Sequence, residues 1–250
     1  MKVLVCVKRV PAPGARIVLT PDGRSIESAH LSFTTSPHEE CAVEAAIQLK
    51  EAHGGSVTVL TLGPAEAEEQ LRYAASVGVD EATLVPTDGG DIDPQATAAG
   101  LLAAIQAMEG EDGPFDLILF GNESADSGGF QVGIRVAHGL GRPVVSGIKG
   151  IDVGDDMVTA RREIPGGFEV YRLPLPAVVA VKEGITLPRY PTLSGRLKSK
   201  KLEIRHHEVA LAAGGMGMIR FESPPEQEVK TEIVADASAM ADVLERLGVL

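Results

Sequence analysis

Apolar positions follow two alternating patterns along the first 140 residues of the chain. In one pattern a short apolar run lacks helical spacing, which predicts a strand buried on both faces, as in a parallel sheet covered by helices. These runs are Lys2 to Val7, Ser56 to Leu62, Glu81 to Pro86 and Phe115 to Phe120. The other pattern has the spacing of an amphipathic helix and covers 36–53, 65–77, 93–108 and the residues after Gly129. The alternation predicts an α/β fold with three layers, in which helices flank a mainly parallel sheet.

Three of the predicted helices begin with a capping residue followed by proline: Ser36-Pro37, Gly63-Pro64 and Asp93-Pro94. Proline suits the start of a helix, and Ser36 with Glu39 has the pattern of a capping box. In open α/β sheets the ligand crevice lies beyond the carboxyl ends of the strands. We therefore expect these helix starts to converge on one crevice.

The loop after the fourth predicted strand is the main candidate for a site. It reads GNESADSGGF and leads into a helix, whose first N–H groups can bind a phosphate that glycines allow to approach closely. Lys8 and Arg9, at the end of the first strand, are further candidates for contact with an anion, with solvated charge as the alternative. The alternative for the loop is an ordinary turn in which Asp126 or Ser127 caps the helix. The sequence SADSGG matches neither a Walker loop nor the dinucleotide fingerprint.

The pattern changes in the second half of the chain. Runs typical of strands follow the loop helix, at Val144 to Val153, Met157 to Ile164, Phe168 to Leu175 and Pro176 to Lys182. The first three are predicted as antiparallel additions to the sheet, and the last as another buried strand.

The remaining residues are predicted to extend from the core. Gly184 to about Val229 has no amphipathic period, whereas Ala235 to Leu250 returns to helical spacing, with apolar residues on one side that are expected to dock on a partner. Those residues are Met240, Val243, Leu244 and Leu247. The predicted division is a nucleotide-binding core over 1–183 and an arm over 184–250.

The composition of the chain excludes several classes of function. The chain has 23 Lys and Arg against 35 Asp and Glu, a net charge of −12 that disfavours nucleic acid. Its two cysteines, Cys6 and Cys41, cannot make a disulfide framework or a metal cluster. We find no credible catalytic set. No apolar run approaches the roughly 20 residues of a membrane helix, and the chain enters a strand directly, which predicts a cytoplasmic protein without membrane insertion.

Five segments resemble, in order and spacing, the beta subunit of electron transfer flavoproteins: VCVKRVP, SPHEECAVEAAIQLKE, GPAEAEEQLRYAASVGVDEA, LFGNESADSGGFQVG and PAVVAVKEGITLPRYPTLSGRLKSKK. The resemblance covers almost the whole chain. It implies a heterodimer in which the alpha subunit holds the redox FAD, while the beta chain, not redox competent alone, forms a wall near the flavin and buries one structural AMP. It also implies that electrons pass from dehydrogenases, such as acyl-CoA dehydrogenase, to a membrane quinone oxidoreductase or another acceptor.

The resemblance further implies which residues form the sites. Arg162 and Glu163 occupy the part that approaches the alpha-bound FAD. The partner-docking loop maps to about Val181 through Glu203, with Leu193 as an apolar anchor and Lys198 and Lys201 at its basic end. The alternative is that Leu193 packs against the alpha subunit and the lysines are solvated. The residues implied for AMP are Cys6, Ser36, Pro37, His38, Glu39, Leu62, Gly121, Asn122, Glu123, Ser124, Ala125, Asp126, Ser127, Gly128, Gly129, Phe130, Gln131 and Val132.

Two alternatives stay open. Members of the family that bifurcate electrons from NADH carry a second FAD in place of AMP and often have Gln-Val-Gly, which this chain has at Gln131-Val132-Gly133. They usually have Gly-Asp-Thr before it, where this chain has Ser127-Gly128-Gly129, so AMP is preferred. The alternative of another class is a stand-alone nucleotide-sensing module of the universal-stress-protein type, which shares the layered core but does not explain the later β-rich part and the arm.

Overall fold

The computed structural model describes residues 1–90, 92–154, 156–225, 231 and 233–250. The strands are β1 (Lys2–Val7), β2 (Val10–Pro11), β3 (Phe33–Thr34), β4 (Ser56–Gly63), β5 (Glu81–Pro86), β6 (Leu117–Gly121), β7 (Val144–Val153), β8 (Met157–Ile164), β9 (Gly167–Pro174), β10 (Ala177–Val181) and β11 (Ile204–His206). The helices are α1 (Pro37–His53), α2 (Glu68–Val77), α3 (Pro94–Asp112), α4 (Val132–Leu140), α5 (Leu193–Ser199) and α6 (Ala237–Arg246), and a single 3-10 turn (Ala65–Ala67) precedes α2.

A nine-stranded sheet forms the centre of the molecule, in the order β11-β5-β4-β1-β6-β10-β7-β8-β9. The strands from β11 to β7 are parallel, and β8 and β9 are antiparallel additions at the other end. Strands β2 and β3 form a small separate antiparallel pair. The predicted mainly parallel sheet is therefore confirmed, and so are β8 and β9 as antiparallel additions. The prediction that Val144 to Val153 is also an antiparallel addition is wrong in part, because the first half of β7 pairs in parallel with β10 and only its second half is antiparallel, to β8.

Helices cover both faces of the parallel strands. On one face α1 and α2 share a hydrophobic core with Val3 and Val5 of β1, and on the other face α3 and α4 share a core with Leu4 and Cys6. Successive side chains of a strand point to opposite faces, so an unbroken apolar run fills both cores at once. The predicted three-layer arrangement is confirmed.

The connections of the sheet create a crevice beside β1. From β1 the chain moves through α1 to β4 and then β5, and it returns through α3 to β6 on the other side of β1. Ligands of open α/β sheets bind where the connections diverge in this way, outside the carboxyl ends of the strands. Here that point lies beyond Val7 and Gly121.

The predicted helix caps are present at two of the three positions, and of these three helix starts only that of α1 lines the cavity at the crevice. Ser36 and Glu39 form the predicted capping box, with the Ser36 Oγ accepting from the Glu39 N–H at 3.2 Å and the Glu39 Oε2 accepting from the Ser36 N–H at 2.9 Å. Asp93 caps α3 by accepting from the Ala96 N–H at 2.7 Å. At Gly63-Pro64 the proline itself is the N-cap, and the first turn is 3-10 rather than α-helical.

Two elements in the segment after Gly184 were not predicted. Residues 193–199 form α5, which packs on α2, and β11 adds to the sheet beside β5. The terminal helix is present but shorter than predicted, as α6, and none of its described residues is buried. Residues 226–230 and 232 of the predicted arm lie outside the described residues. The division of the chain into a core and an arm stays a prediction.

The segment after β11 returns across α3. The side chains of Leu211 and Leu62 lie so close to Gly100 of α3 that a Cβ there would come within 2.6 Å of each. Farther along, the Met216 N–H donates to Asp93 Oδ2 at 2.8 Å, and a Cβ on Gly214 would overlap the same carboxylate. The start of α3 is therefore covered by this segment. Within the described residues no helix has the length and apolar character needed to cross a membrane.

Candidate functional site

A cavity of about 420 Å³ opens at the crevice between β1 and β6. Its walls are Pro37 and His38 at the start of α1 and residues 123–128 of the loop after β6. This volume is within the range of small-molecule sites, and the position is the one expected for a ligand of an α/β sheet. The cavity is the candidate site.

The loop that lines the cavity is an ordered turn. The Asn122 N–H donates to the Val181 carbonyl at 2.8 Å, which ties the start of the loop to β10. The Gly128 N–H closes it by donating to the Ser124 carbonyl at 3.1 Å, and the Ser124 and Ser127 hydroxyls are 2.9 Å apart. Gly128 has a φ of +54°, a left-handed conformation that glycine adopts without the penalty of a Cβ.

The loop leads into α4, but the residue at the N-cap of this helix is neither Asp126 nor Ser127. Gln131 is the N-cap, and its Oε1 accepts from the Arg135 guanidinium at 3.0 and 3.2 Å. The interpretation that Asp126 or Ser127 caps this helix is therefore wrong. Asp126 lies farther back in the loop, where its carboxylate meets Lys8.

Each of the two carboxylates on the cavity wall has a partner of its own. Lys8 Nζ is 2.6 Å from Asp126 Oδ2, and His38 Nε2 is 3.3 Å from Glu123 Oε1. Partial burial opposes ionisation of Asp126, but the Lys8 ammonium and the hydrogen bonds from Lys8, Ser124 and the Ser127 N–H together outweigh it and lower the pKa of that carboxyl below its ordinary value. Carboxylates paired in this way are suited to accept hydrogen bonds from hydroxyl groups of a ligand.

His38 is held in one tautomer. Its Nδ1 accepts from the Glu183 N–H at 2.7 Å, so the proton of the neutral imidazole is on Nε2, which faces Glu123. The side chain is mostly buried, with 15% of it exposed. One histidine thus connects the cavity wall to the segment that follows β10.

Glu39 lies behind the cavity wall and ties α1 to β1. Besides its bond to Ser36, its carboxylate accepts from the Lys8 N–H at 3.0 Å. Gly121 packs against it so closely that a Cβ there would be 2.7 Å from Glu39 Cγ. Burial raises the pKa of Glu39 to about 8, against the opposing effect of the backbone hydrogen bonds from Ser36 and Lys8.

The raised pKa of Glu39 predicts a pH dependence of folding. Between pH 4.5, the ordinary pKa of glutamate, and about pH 8, Glu39 keeps its proton in the folded chain but loses it in the unfolded chain. The contribution of Glu39 to the free energy of unfolding is therefore complete below pH 4.5 and is lost as the pH rises through about 8. Urea denaturation below pH 4.5 and above pH 8 should show this decrease in the free energy of unfolding, and Glu39→Gln should remove the decrease. Glu27→Gln, at an exposed position, is the matched control. An unaltered pH slope in Glu39→Gln would contradict the assignment.

The structure brings together only part of the residues implied for AMP. Pro37, His38 and residues 123–128 line one cavity, whereas Ser36 supports it from behind by donating from Oγ to the Glu123 carbonyl at 3.3 Å. Cys6 is buried under the end of β1, where burial raises the pKa of its thiol, and Leu62 packs on α3. The residues from Gly129 to Val132 continue from the cavity wall into α4, and Gly129 lies beside Pro94 of α3.

The residues implied to lie near FAD are on β8. The Arg162 guanidinium donates to Glu169 Oε2 at 2.8 and 2.6 Å and contacts the Tyr171 hydroxyl. Glu163 pairs with Lys149 of β7 at 2.7 Å. A Cβ on Gly147 would be 3.5 Å from Arg162 Cδ and 3.6 Å from Asn122 Oδ1, so Arg162 lies close to the start of the cavity loop.

The residues implied for docking are on or next to α5. Leu193 is the first residue of this helix and is 77% exposed, and Lys198 and Lys201 are exposed as well. The helix is fixed to α2 at both ends. A Cβ on Gly195 would overlap the Ser76 carbonyl oxygen, and the Arg72 guanidinium donates to the carbonyls of Ser199 and Leu202 at 3.0 and 3.2 Å.

The sequence did not predict how the docking segment is anchored on α1. Arg189 forms paired hydrogen bonds with Glu44, at 2.8 and 2.9 Å, and with Glu51, at 2.7 and 3.0 Å. Gln48 bonds the Thr186 hydroxyl at 2.8 Å. These partners are about 140 positions apart in the chain, and a single sequence carries no signal for such a pairing.

Comparisons with known proteins agree with the fold. The family model described as the electron transfer flavoprotein domain matches residues 26–212. An electron transfer flavoprotein subunit beta from Bacillus subtilis is 33% identical over 209 residues, covering 84% of this chain and 79% of the relative. The subunit of the same name from Syntrophomonas wolfei is 34% identical over 245 residues, covering 98% and 94%.

A third relative is the caffeyl-CoA reductase-Etf complex subunit CarD from Acetobacterium woodii, 30% identical over 237 residues, covering 90% of this chain and 88% of the relative. The chain belongs to the electron transfer flavoprotein family, and within it to the beta subunits. The resemblance found in the sequence is confirmed. The alternative of a stand-alone nucleotide-sensing module does not fit a chain that matches this family along most of its length.

Proposed function

We propose that the chain is the beta subunit of a heterodimeric electron transfer flavoprotein that holds a structural AMP in the cavity beside β1. The redox FAD is held mainly by an alpha-type subunit, and the complex carries electrons in the cytoplasm from dehydrogenases of the acyl-CoA type to a membrane quinone oxidoreductase or another acceptor. The observation that carries the proposal is the cavity formed by His38 and residues 123–128, at the ligand-binding edge of the sheet, in a chain of this family.

The residues of the cavity fit a nucleotide. The Ser124 and Ser127 hydroxyls and the adjacent start of α4 offer donors to a phosphate, with the Lys8 ammonium nearby. The carboxylates of Glu123 and Asp126 would repel that phosphate but suit ribose hydroxyls, as acidic residues do in other nucleotide sites. We therefore assign the phosphate to the glycine-rich end of the loop and the ribose to the two carboxylates.

The second candidate is an electron-bifurcating subunit with a second FAD in the same site and NADH as donor. Val132, at the first position of α4, favours the bifurcating subunit, since family members that bifurcate electrons often have valine at this position. The run Ser127-Gly128-Gly129 favours AMP, because relatives with a second FAD usually have Gly-Asp-Thr at this place. AMP stays the preferred ligand.

The exposed apolar surface of the carboxyl-terminal part supports a heterodimer. In α6 the side chains of Met240 and Leu247, which follows the helix, are 46% and 67% exposed. Apolar patches of this kind mark interaction sites. A partner of the alpha type would cover them.

Coexpression tests the proposal. The chain purified with an alpha-type subunit should be yellow, and mass spectrometry of the nucleotides released by denaturation should find AMP alongside FAD. The chain purified alone should be colourless and less stable, because α6 lacks its covering partner. A lone chain with full FAD occupancy and normal redox activity would contradict the proposal, and a second equivalent of FAD instead of AMP would favour the bifurcating alternative.

Gly128→Val is expected to weaken retention of AMP by about tenfold, because a β-branched residue in the left-handed region costs about 1–2 kcal/mol. The strain should open the turn at Ser124 and move the phosphate end of the site. AMP content per heterodimer measures the effect, and flavin reduction should survive. Gly141→Val is the matched control, since Gly141 is also in the left-handed region, with a φ of +64°, but lies at the carboxyl end of α4, where an added Cβ would meet nothing within 4 Å. Full AMP content in Gly128→Val would remove this turn from the site.

A further inference from the structure

One side chain contacts both functional regions of the molecule. His38 faces Glu123 on the cavity wall through Nε2, and through Nδ1 it accepts the backbone N–H of Glu183, where the segment leading to α5 begins. The two contacts depend on each other. With Glu123 in place, the proton stays on Nε2 and Nδ1 is free to accept; in the other tautomer Nδ1–H would face the Glu183 N–H, donor against donor.

The segment that starts at Glu183 is attached to α1 along its length. The Cys41 thiol lies 3.3 Å from the Thr186 carbonyl, Gln48 bonds the Thr186 side chain, and Arg189 is held by Glu44. The contacts with Cys41, Glu44 and Gln48 lie on successive turns of the helix that carries His38 near its start. Residue 183 is therefore the first of a series of attachments that fix the route of the chain toward Leu193.

We infer that His38 is a positioning residue that couples occupancy of the cavity to the placement of the docking segment. A ligand that holds the Glu123 carboxylate in place holds the imidazole in the tautomer that anchors Glu183, and the segment up to Leu193 is then fixed on α1. Coupling of this kind is reciprocal, so a dehydrogenase bound at the docking segment strengthens ligand binding by the same factor. The inference rests on the proposed function for the identity of the ligand and of the docking partner.

Hydrogen exchange of the Glu183 amide tests the coupling in the heterodimer without reference to the ligand. Glu123→Ala should accelerate this exchange about fivefold, the lower end of typical coupling between sites. His38→Asn provides the second background, because the asparagine Oδ1 takes the place of Nδ1 but the side chain is too short to reach Glu123. In that background Glu123→Ala should have no further effect, as a double-mutant cycle requires. His53→Gln, at the exposed end of α1, is the control.

AMP provides the second arm of the experiment. Added to nucleotide-depleted heterodimer, AMP should slow exchange at Glu183 in the wild type and leave it unchanged in His38→Asn. The inference is overturned if Glu123→Ala has the same effect in both backgrounds or none in either, or if AMP binds and leaves the exchange unaltered. If Glu123→Ala behaves as expected and AMP fails to bind, the contact through His38 is supported and the proposed nucleotide is the part that fails.

Discussion

Leu193→Ala is expected to slow electron transfer from an acyl-CoA-type dehydrogenase by about tenfold or more, since truncation of a central apolar anchor commonly costs about 2 kcal/mol of binding. Leu193 is 77% exposed at the start of a helix that is fixed from behind by α2, so its side chain is presented rigidly to a partner. The rate of flavin reduction at subsaturating dehydrogenase measures the effect. The absorption spectrum and potential of the alpha-bound FAD should be unchanged.

Leu187→Ala is the matched control, because Leu187 is an apolar residue of the same segment and is 88% exposed, but it precedes α5. Replacing Lys198 and Lys201 by glutamine should lower mainly the association rate and its salt dependence, because exposed charges steer encounters more than they hold complexes. Dissociation of the heterodimer and release of FAD in Leu193→Ala would assign this residue to the subunit interface, and the docking assignment would then be wrong.

Gly195→Ala is expected to have a comparable effect on electron transfer and an additional effect on stability. The new Cβ would overlap the carbonyl oxygen of Ser76, a backbone atom of α2 that cannot rotate away. Overpacking of this kind costs about 1–3 kcal/mol. The helix should therefore shift away from α2 and take Leu193 with it. Urea denaturation and flavin reduction by the dehydrogenase measure the two effects.

Gly110→Ala is the control for Gly195→Ala. Gly110 is a helical glycine of α3 with nothing within 4 Å of an added Cβ, so alanine there should leave electron transfer unchanged and stabilise the chain by about 0.5–1 kcal/mol. Wild-type stability and electron transfer in Gly195→Ala would show that α5 tolerates displacement. The close packing of α5 on α2 would then have no part in docking.

The sequence predicts those parts of the fold that local interactions determine. Val3 to Val7 and Leu117 to Phe120 are apolar without interruption because both faces of these strands are covered, and that pattern is readable without a structure. The capping box of Ser36 and Glu39 is equally local, since both partners lie within one turn. The order of strands and helices then places the crevice.

The elements that were missed depend on distant partners. Strand β11 has three residues, of which Ile204 alone is apolar, and it forms because the edge of β5 accepts it. Helix α5 has seven residues, too few to be stable alone, and its carboxyl end is completed by Arg72 of α2. Neither feature has a signal in the local pattern.

The candidate site was predicted in position and only partly in detail. The loop after β6 was identified because strand ends and glycines mark such sites. The interpretation of Asp126 as a helix cap is wrong because Lys8, at the end of β1, offers it a charged partner. Lys8 and Asp126 are more than a hundred positions apart, and spacing along the chain does not reveal that they pair.

The order of strands in the sheet also determines when the site is completed during synthesis. Strand β10 pairs with β6 on one side and with β7 on the other, yet it follows both in the chain. Until Val181 has left the ribosome, the open edge of β6 has no neighbour, and the Asn122 N–H lacks the carbonyl that fixes the cavity loop. Pairing between distant segments is slow, and an unpaired strand edge is prone to aggregation. A nascent chain therefore passes through a stage in which its nucleotide loop is already made but is not yet anchored to the sheet.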